Sequence, residues 1–183
     1  MKRLLISAGI LVASTFALNA QQKPIASPPE TATATVAGKT ITINYNSPRV
    51  KGREGHVFTS DGLIKTAHGS QYPIWRGGAN AATTLKTEAN LKIGDLSVPA
   101  GTYTLFFDIS NPDQWTFIVN KKTGEWGLAY DASQDLGKVK MTMSKPPSMV
   151  EDLKYTIEST GAHSGKIVLA WENQVASVPF KVE

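Results

Sequence analysis

The sequence predicts an all-β protein: a single antiparallel β-sandwich or jelly-roll-like domain behind an export signal. Three observations carry this reading. Apolar and polar residues alternate at period two along most of the chain after residue 30, which sends one set to a core and the other to water. Turn-forming residues interrupt the alternation at short intervals. Beyond the N-terminus, no window of about a dozen residues carries a 3.6-residue period. The 183 residues suit one domain, and a chain of that size can bury about 70% of its unfolded surface without a disulfide or a metal. Strands of about 5–6 residues imply roughly nine to twelve of them. A closed barrel is the alternative this pattern leaves open.

Residues 1–20 carry the export signal. Met1-Lys2-Arg3 is a basic start, Leu4 to Leu18 an apolar run, and Ala20 a small residue before the polar Gln21-Gln22-Lys23. That is the order of a secretory leader and its cleavage site. Leu18 stands where a small residue is preferred, so cleavage after Ala17 is the alternative. The run is short for the roughly 20 residues of a spanning helix. The expectation is a soluble mature chain in the periplasm or outside the cell, with no membrane anchor after cleavage. Residues 21–30, holding Pro24, Pro28 and Pro29, read as an extended lead-in.

The domain proper spans residues 31–183. Its alternating faces run in order: Ile41, Ile43 and Tyr45; Tyr103, Leu105, Phe107 and Ile109; Trp115, Phe117 and Val119; Val139, Met141 and Met143; Leu153, Tyr155 and Ile157; Ile167, Leu169 and Trp171; Val178, Phe180 and Val182. Only Phe106 breaks the pattern. Turn chemistry separates them at Ala37-Gly38-Lys39, Val98-Pro99-Ala100-Gly101 and Gly161–Gly165. Hairpins are expected at Asn111-Pro112-Asp113, Lys122-Thr123-Gly124 and Glu172-Asn173-Gln174. One stretch does not fit this meander. Residues 47–81 are long, Gly-rich and contain His56 and His68, as a functional loop would be. Phe58, Ile64, Tyr72, Ile74 and Trp75 argue that it is ordered.

Composition excludes several kinds of chemistry. With no Cys, there is no disulfide framework, thiolate metal site, Cys nucleophile or lipid-anchored N-terminus. The formal charge of +4 falls to +2 once Lys2 and Arg3 leave, too weak a field for nucleic acid. No dinucleotide fingerprint, phosphate loop or nucleophile elbow is present, and Gly161–Ile167 is one residue short of a phosphate loop. His56, His68 and His163 are not spaced as a metal pair, so no metal or cofactor is expected. Asp131 with Asp135, and Asp108 with Asp113, read as solvated turn residues unless distances pair them as an acid and a base. The most distinctive local cluster is Trp75-Arg76-Gly77-Gly78-Ala79-Asn80. Two glycines permit a positive φ or close backbone approach. Arg76 offers a planar donor fork and Asn80 an amide, beside an indole. The same residues could equally fill core and cap loop carbonyls. A second cluster holds Trp126, Tyr130 and Asp135.

Five ordered motifs then carry a family resemblance. Tyr45-x-Ser47-Pro48-x-Val50-Lys51-Gly52-Arg53, Trp75-Arg76-x-Gly78-Ala79-Asn80-x-Ala82-Thr83, Pro99–Phe106, Trp115-Thr116 with Asn120, and Trp126-Gly127 with Tyr130 and Asp135 resemble the DUF2911 family. The resemblance implies an exported bacterial protein and supplies no reaction. Family members usually have Thr where this chain has Gly77, and Glu where it has Ala81.

The expected function is a non-catalytic binding module for carbohydrate or another polar ligand, with Trp75, Arg76, Asn80, Thr83, Trp126, Tyr130 and Asp135 as candidate contacts. A hydrolase using Asp131, Asp135 or His56 and a structural envelope protein are the alternatives. The expected partner is a small polar ligand or an envelope component. Mass spectrometry of the exported protein is expected to find a chain starting near Gln21; Met1 retained in the membrane fraction would contradict the leader.

Overall fold

The computed structural model describes residues 25–64, 73–124, 126–127 and 129–183. The expected export signal over residues 1–20, residues 21–24 of the lead-in, His68 and Tyr72 lie outside the described residues. The described residues form thirteen strands: β1 (Pro29–Val36), β2 (Lys39–Asn46), β3 (Ile74–Trp75), β4 (Thr84–Thr87), β5 (Leu91–Ile93), β6 (Leu96–Val98), β7 (Gly101–Asp108), β8 (Thr116–Asn120), β9 (Asp135–Lys140), β10 (Thr142–Ser144), β11 (Val150–Gly161), β12 (Ser164–Glu172) and β13 (Gln174–Val182). The number exceeds nine to twelve because β3, β5, β6 and β10 have only two or three residues each. The last two lead-in residues, Pro29 and Glu30, already belong to β1. Among the described residues there is no α-helix, only a 3-10 turn at Ala132–Gln134.

The strands form two antiparallel sheets. The first has the order β1-β2-β4-β7-β8-β9, with β3 also pairing β7; the second has β11-β12-β13-β5-β6, with β10 also pairing β13. They pack as a sandwich, not a closed barrel. β1 lies against β11 at one flank and β6 against β9 at the other.

The period-two faces become the core. Ile41, Ile43, Leu85, Leu105, Phe107, Phe117 and Val119 from the first sheet are fully buried, as are Ile93, Ile167, Leu169, Ala176 and Val178 from the second. Burying a side chain of this size contributes about 1.5–3 kcal/mol. The exception, Phe106, is buried on the outer face of the first sheet with Ile74 and Ile118, under the ring of Tyr130. Its place in the sequence breaks alternation because β7 is covered on both sides there.

Most turns fall where their residues place them. Ala37 and Gly38, both at positive φ, close the β1–β2 hairpin with the primed geometry that suits strand twist. Asn111–Asp113 joins β7 to β8, and Asp113 N–H donates to Asn111 Oδ1. Residues 161–164 and 172–174 close the β11–β12 and β12–β13 hairpins. Two turns differ. Val98–Gly101 carries the chain from one sheet to the other, not around a hairpin. Lys122–Gly124 opens a connection running to residue 134 before β9 begins. The strands on either side do pair, but the loop is much longer than a hairpin turn and lies over Phe106.

Residues 47–64 close one end of the sandwich. Ser47, Val50 and Val57 are buried, and the ring of Phe58 meets Trp75, Trp115 and Trp171 at 5.8, 4.8 and 5.7 Å. Trp75 also stacks on Trp171 across the two sheets, centroids 5.8 Å apart and planes 20° apart. Such pairs add to simple area burial.

Burial also raises the pKa of Tyr45, Tyr103, Tyr130 and Tyr155 above the ordinary 10.0. The folded chain therefore keeps protons that the unfolded chain releases above pH 10, so this contribution to stability is complete below that pH and is lost as pH rises above it. Phenolate absorbance of native protein is expected to lag that of urea-unfolded protein on alkaline titration. Coincident curves would contradict these environments.

Candidate functional site

The site is built on an interruption in the first sheet. β3 and β4 both pair with β7, in register Trp75↔Phe107 and Thr84↔Thr104. The residues from Arg76 to Thr83 therefore stand opposite only Leu105 and Phe106, and the excess is looped out as a large bulge. Bulges of this kind re-aim side chains. Its base is closed by Thr83 N–H donating to the Arg76 carbonyl at 3.4 Å and by Leu105 N–H donating to the Thr83 carbonyl at 2.8 Å.

The Gly77 carbonyl pins the bulge. It accepts from the Thr83 hydroxyl at 3.1 Å and from the Tyr155 hydroxyl of the opposite sheet at 2.8 Å. Gly77 has φ +64, and a Cβ there would run into Phe107 and the Tyr155 oxygen. Any side chain at 77 would need both rings to move, so glycine and the local backbone go together here. Gly78 has no positive φ but sits against the Asn46 carbonyl, which a Cβ would approach to 2.9 Å. Ala79 N–H donates to that same carbonyl at 3.1 Å, and Trp75 Nε1–H to the Gly78 carbonyl at 3.2 Å.

The second candidate cluster meets this bulge directly. Ala81 forms an antiparallel bridge with Trp126. A Cβ at Gly127 would run into Arg76 Cδ and stand 2.8 Å from the Asn80 carbonyl oxygen and 3.1 Å from Arg76 Nε. Segments 76–83 and 126–127 are thus one surface, although about 45 residues separate them in the chain.

The seven candidate residues divide by what they do there. Trp75 is 5% exposed and stacked in the core, so neither indole face is open. Thr83 is fully buried with its hydroxyl spent on Gly77. Tyr130 donates to Asp135 Oδ2 at 2.7 Å, and Asp135 also accepts from Asn120 Nδ2 at 2.9 Å and pairs with Lys138 at 3.2 Å. Burial, then the hydrogen bond to Asp135, hold the Tyr130 hydroxyl protonated far into the alkaline range. This pair clamps the 121–134 loop to β8 and β9. Asp131, raised as a hydrolytic carboxylate, accepts from Ser133 N–H at 3.0 Å and Ser133 Oγ at 2.7 Å, and so caps the 3-10 turn. These two contacts hold its pKa below the ordinary carboxylate value. His56 is exposed on the 47–64 segment. Among the described residues no three His, Asp or Glu side chains are placed to hold a metal.

Three residues keep uncommitted groups. The Asn80 side chain is exposed, at φ +57. Trp126 is 59% exposed, whereas Trp75, Trp115 and Trp171 are buried. Arg76 is part-buried, its Nη1 is enclosed without a hydrogen-bond partner, and burial lowers its pKa, with no carboxylate of the described residues paired to it. The contrast with the other described arginines is clear. Arg49 Nε pairs with Asp152 at 2.8 Å; Arg53 Nε and Nη2 donate to the Val50 and Arg49 carbonyls at 2.9 and 2.7 Å. Gly127 and Tyr155 also belong to the site, beyond the seven candidates the sequence offers. Gly127 was already visible in the Trp126-Gly127 motif; Tyr155 read only as one member of a core face.

Gly77→Ala is expected to destabilise the domain by about 2–4 kcal/mol, from strain plus overpacking. Tyr155→Phe is expected to cost about 1–2 kcal/mol, because the Gly77 carbonyl retains one of its two donors. Urea unfolding measures both, and a neutral Gly77→Ala would contradict the pinned bulge.

Comparison with known proteins identifies a family. The DUF2911 family model, described as a protein of unknown function, matches residues 27–180, nearly the whole described domain. No curated protein and no solved structure matches the chain. With the match extending over both sheets, the bulge and the 121–134 loop, the chain belongs to the DUF2911 family.

Proposed function

We propose that the chain is an exported, non-catalytic binding module whose polar ligand presents an anionic group to Arg76. One observation carries the reading: a part-buried guanidinium with an enclosed Nη1 and no partner among the described residues. Removing a charge from water without pairing it costs free energy, and the surrounding bulge is too well pinned for Arg76 to be an accident of a loose loop. The planar fork suits carboxylate, sulfate or phosphate. A carbohydrate carrying such a group, free or in an envelope component, meets this description. Export rests on the pattern of residues 1–20. Asp131 and Asp135 are already engaged in capping and clamping, which favours binding over hydrolysis.

Arg76→Met keeps the length of the stem and removes the charge. Without ligand, this variant is expected to be more stable than the natural protein by about 1 kcal/mol. It should also lose the NMR-detected binding of acetate, sulfate or phosphate. Arg76→Lys, charged but without the fork, should bind more weakly. Destabilisation by Arg76→Met would make Arg76 a structural fork and overturn the proposal.

A further inference from the structure

Every open sheet ends in strands whose free backbone groups can pair with another chain, and proteins shield such edges with lysines, bulges, short length or cover. All but one of the edges here are shielded. β9 carries Lys138 and Lys140 and a register shift against β8 at Val119–Asn120. β11 is shifted against β12 in two places. Its start is also covered: Val50 N–H donates to the Glu151 carbonyl at 2.9 Å and Leu153 N–H to the Pro48 carbonyl at 3.0 Å. β6 and β10 have only three residues each. β1 has none of these devices. Its eight residues pair with β2 without a shift, include no Lys or Arg, and hold their one Pro at the first position.

The ladder shows which groups of β1 are open. Ser47 N–H donates to the Pro28 carbonyl at 2.9 Å, one step beyond the Pro29↔Asn46 pair. Hydrogen-bonded pairs alternate along an antiparallel ladder, so Glu30, Ala32, Ala34 and Val36 bond to β2. The N–H and C=O groups of Thr31, Thr33 and Thr35 point the other way, where β1 has no strand neighbour among the described residues. These three side chains are exposed on the outer face. Two of their hydroxyls are engaged across β2, Thr31 with Asn44 at 2.9 Å and Thr33 with Thr42 at 3.1 Å. On the inner side Ala32 and Ala34 project only methyl groups, too small to hold a neighbouring strand away.

We propose that β1 pairs antiparallel with β1 of a second copy of this chain, about a two-fold axis through Thr33. The edge is self-complementary in that register. Thr33 meets the partner's Thr33 and Thr31 meets the partner's Thr35, so every open N–H and C=O finds a partner and threonine faces threonine throughout. Glu30 then stands opposite the partner's Val36. Val36 is itself paired with Lys39, so the partner's Lys39 lies on the same face one strand further, roughly 9–10 Å from Glu30. Two long side chains of opposite charge span that distance. A parallel pairing in register would instead set Glu30 beside the partner's Glu30, so charge selects the antiparallel one. Such a contact uses the same patch on both subunits and closes at two copies.

Sedimentation equilibrium of the purified protein over rising concentration tests this, and a reversible monomer–dimer equilibrium is expected. Thr33→Pro removes an edge N–H that β2 does not use, which a folded edge strand tolerates, and should weaken dimerisation at least about tenfold. Thr31→Lys with Thr35→Lys sets like charges opposite each other across the axis and should give a monomer. Thr31→Lys with Thr35→Glu sets opposite charges there and should dimerise at least as tightly as the natural chain. That contrast identifies the register whether or not Thr33→Pro folds. A monomer at every concentration, a dimer indifferent to which charge pair is present, or a folded Thr33→Pro that dimerises undiminished overturns the proposal.

Discussion

The Gly77 carbonyl holds this protein's distinctive surface in place. It is the point where a hydroxyl from the second sheet, Tyr155, reaches across the core to grip a bulge in the first. The Thr83 hydroxyl grips the same oxygen from the far end of the bulge. Tyr155 is wholly buried, with its ring edge-on to Tyr45 at 4.8 Å. An unmade hydrogen bond in such a place costs about 1–3 kcal/mol, so the three groups hold one another in position. Because the pin comes from the opposite sheet, the bulge cannot shift without disturbing the packing between the sheets.

Everything on the outer side follows from that fixed backbone. A strand running straight from β3 into β4 would have placed Arg76 in an ordinary outward register position, free in water. The looped course puts its side chain across Gly127, partly out of solvent. The 121–134 loop that supplies Gly127 is fixed independently by Asp135, whose carboxylate takes Asn120, Tyr130 and Lys138 together. Arg76 thus lies between two pinned segments. Both neighbouring arginines in the chain satisfy their guanidinium groups on nearby oxygens; Arg76 lies where no oxygen of the described residues reaches it.

The layers of the sandwich were legible because long strands repeat the same decision many times. Ile167, Leu169 and Trp171, or Ile41, Ile43 and Tyr45, each point one way for three turns of the alternation, and all are buried. The shortest strands escaped because three residues, as in Leu91–Ile93, give one alternation at most. The bulge escaped because it is a property of pairing: residues 76–83 are looped out only relative to Leu105 and Phe106 on a different strand. Clustering along the chain drew attention to Trp75 and Arg76 together, yet adjacent residues at a strand end face opposite sides. Trp75 went into the core and Arg76 to the outer surface. The contact between segments 76–83 and 126–127 depends on how far the 121–134 loop folds back over Phe106, which its Lys122–Gly124 turn signal did not convey.

The most direct test of an unpaired but built guanidinium is nitrogen-15 NMR of the Arg49, Arg53 and Arg76 side chains, with and without sulfate or phosphate. In free protein, the Arg76 Nη signals should be broadened by exchange and rotation, while Arg53, bound to two carbonyls, gives sharper ones. Adding the anion should sharpen and shift Arg76 and leave Arg49 and Arg53 unmoved. Arg76 signals that are already sharp and shifted in the free protein, and unchanged by any anion, would show the guanidinium to be internally paired and would contradict the account.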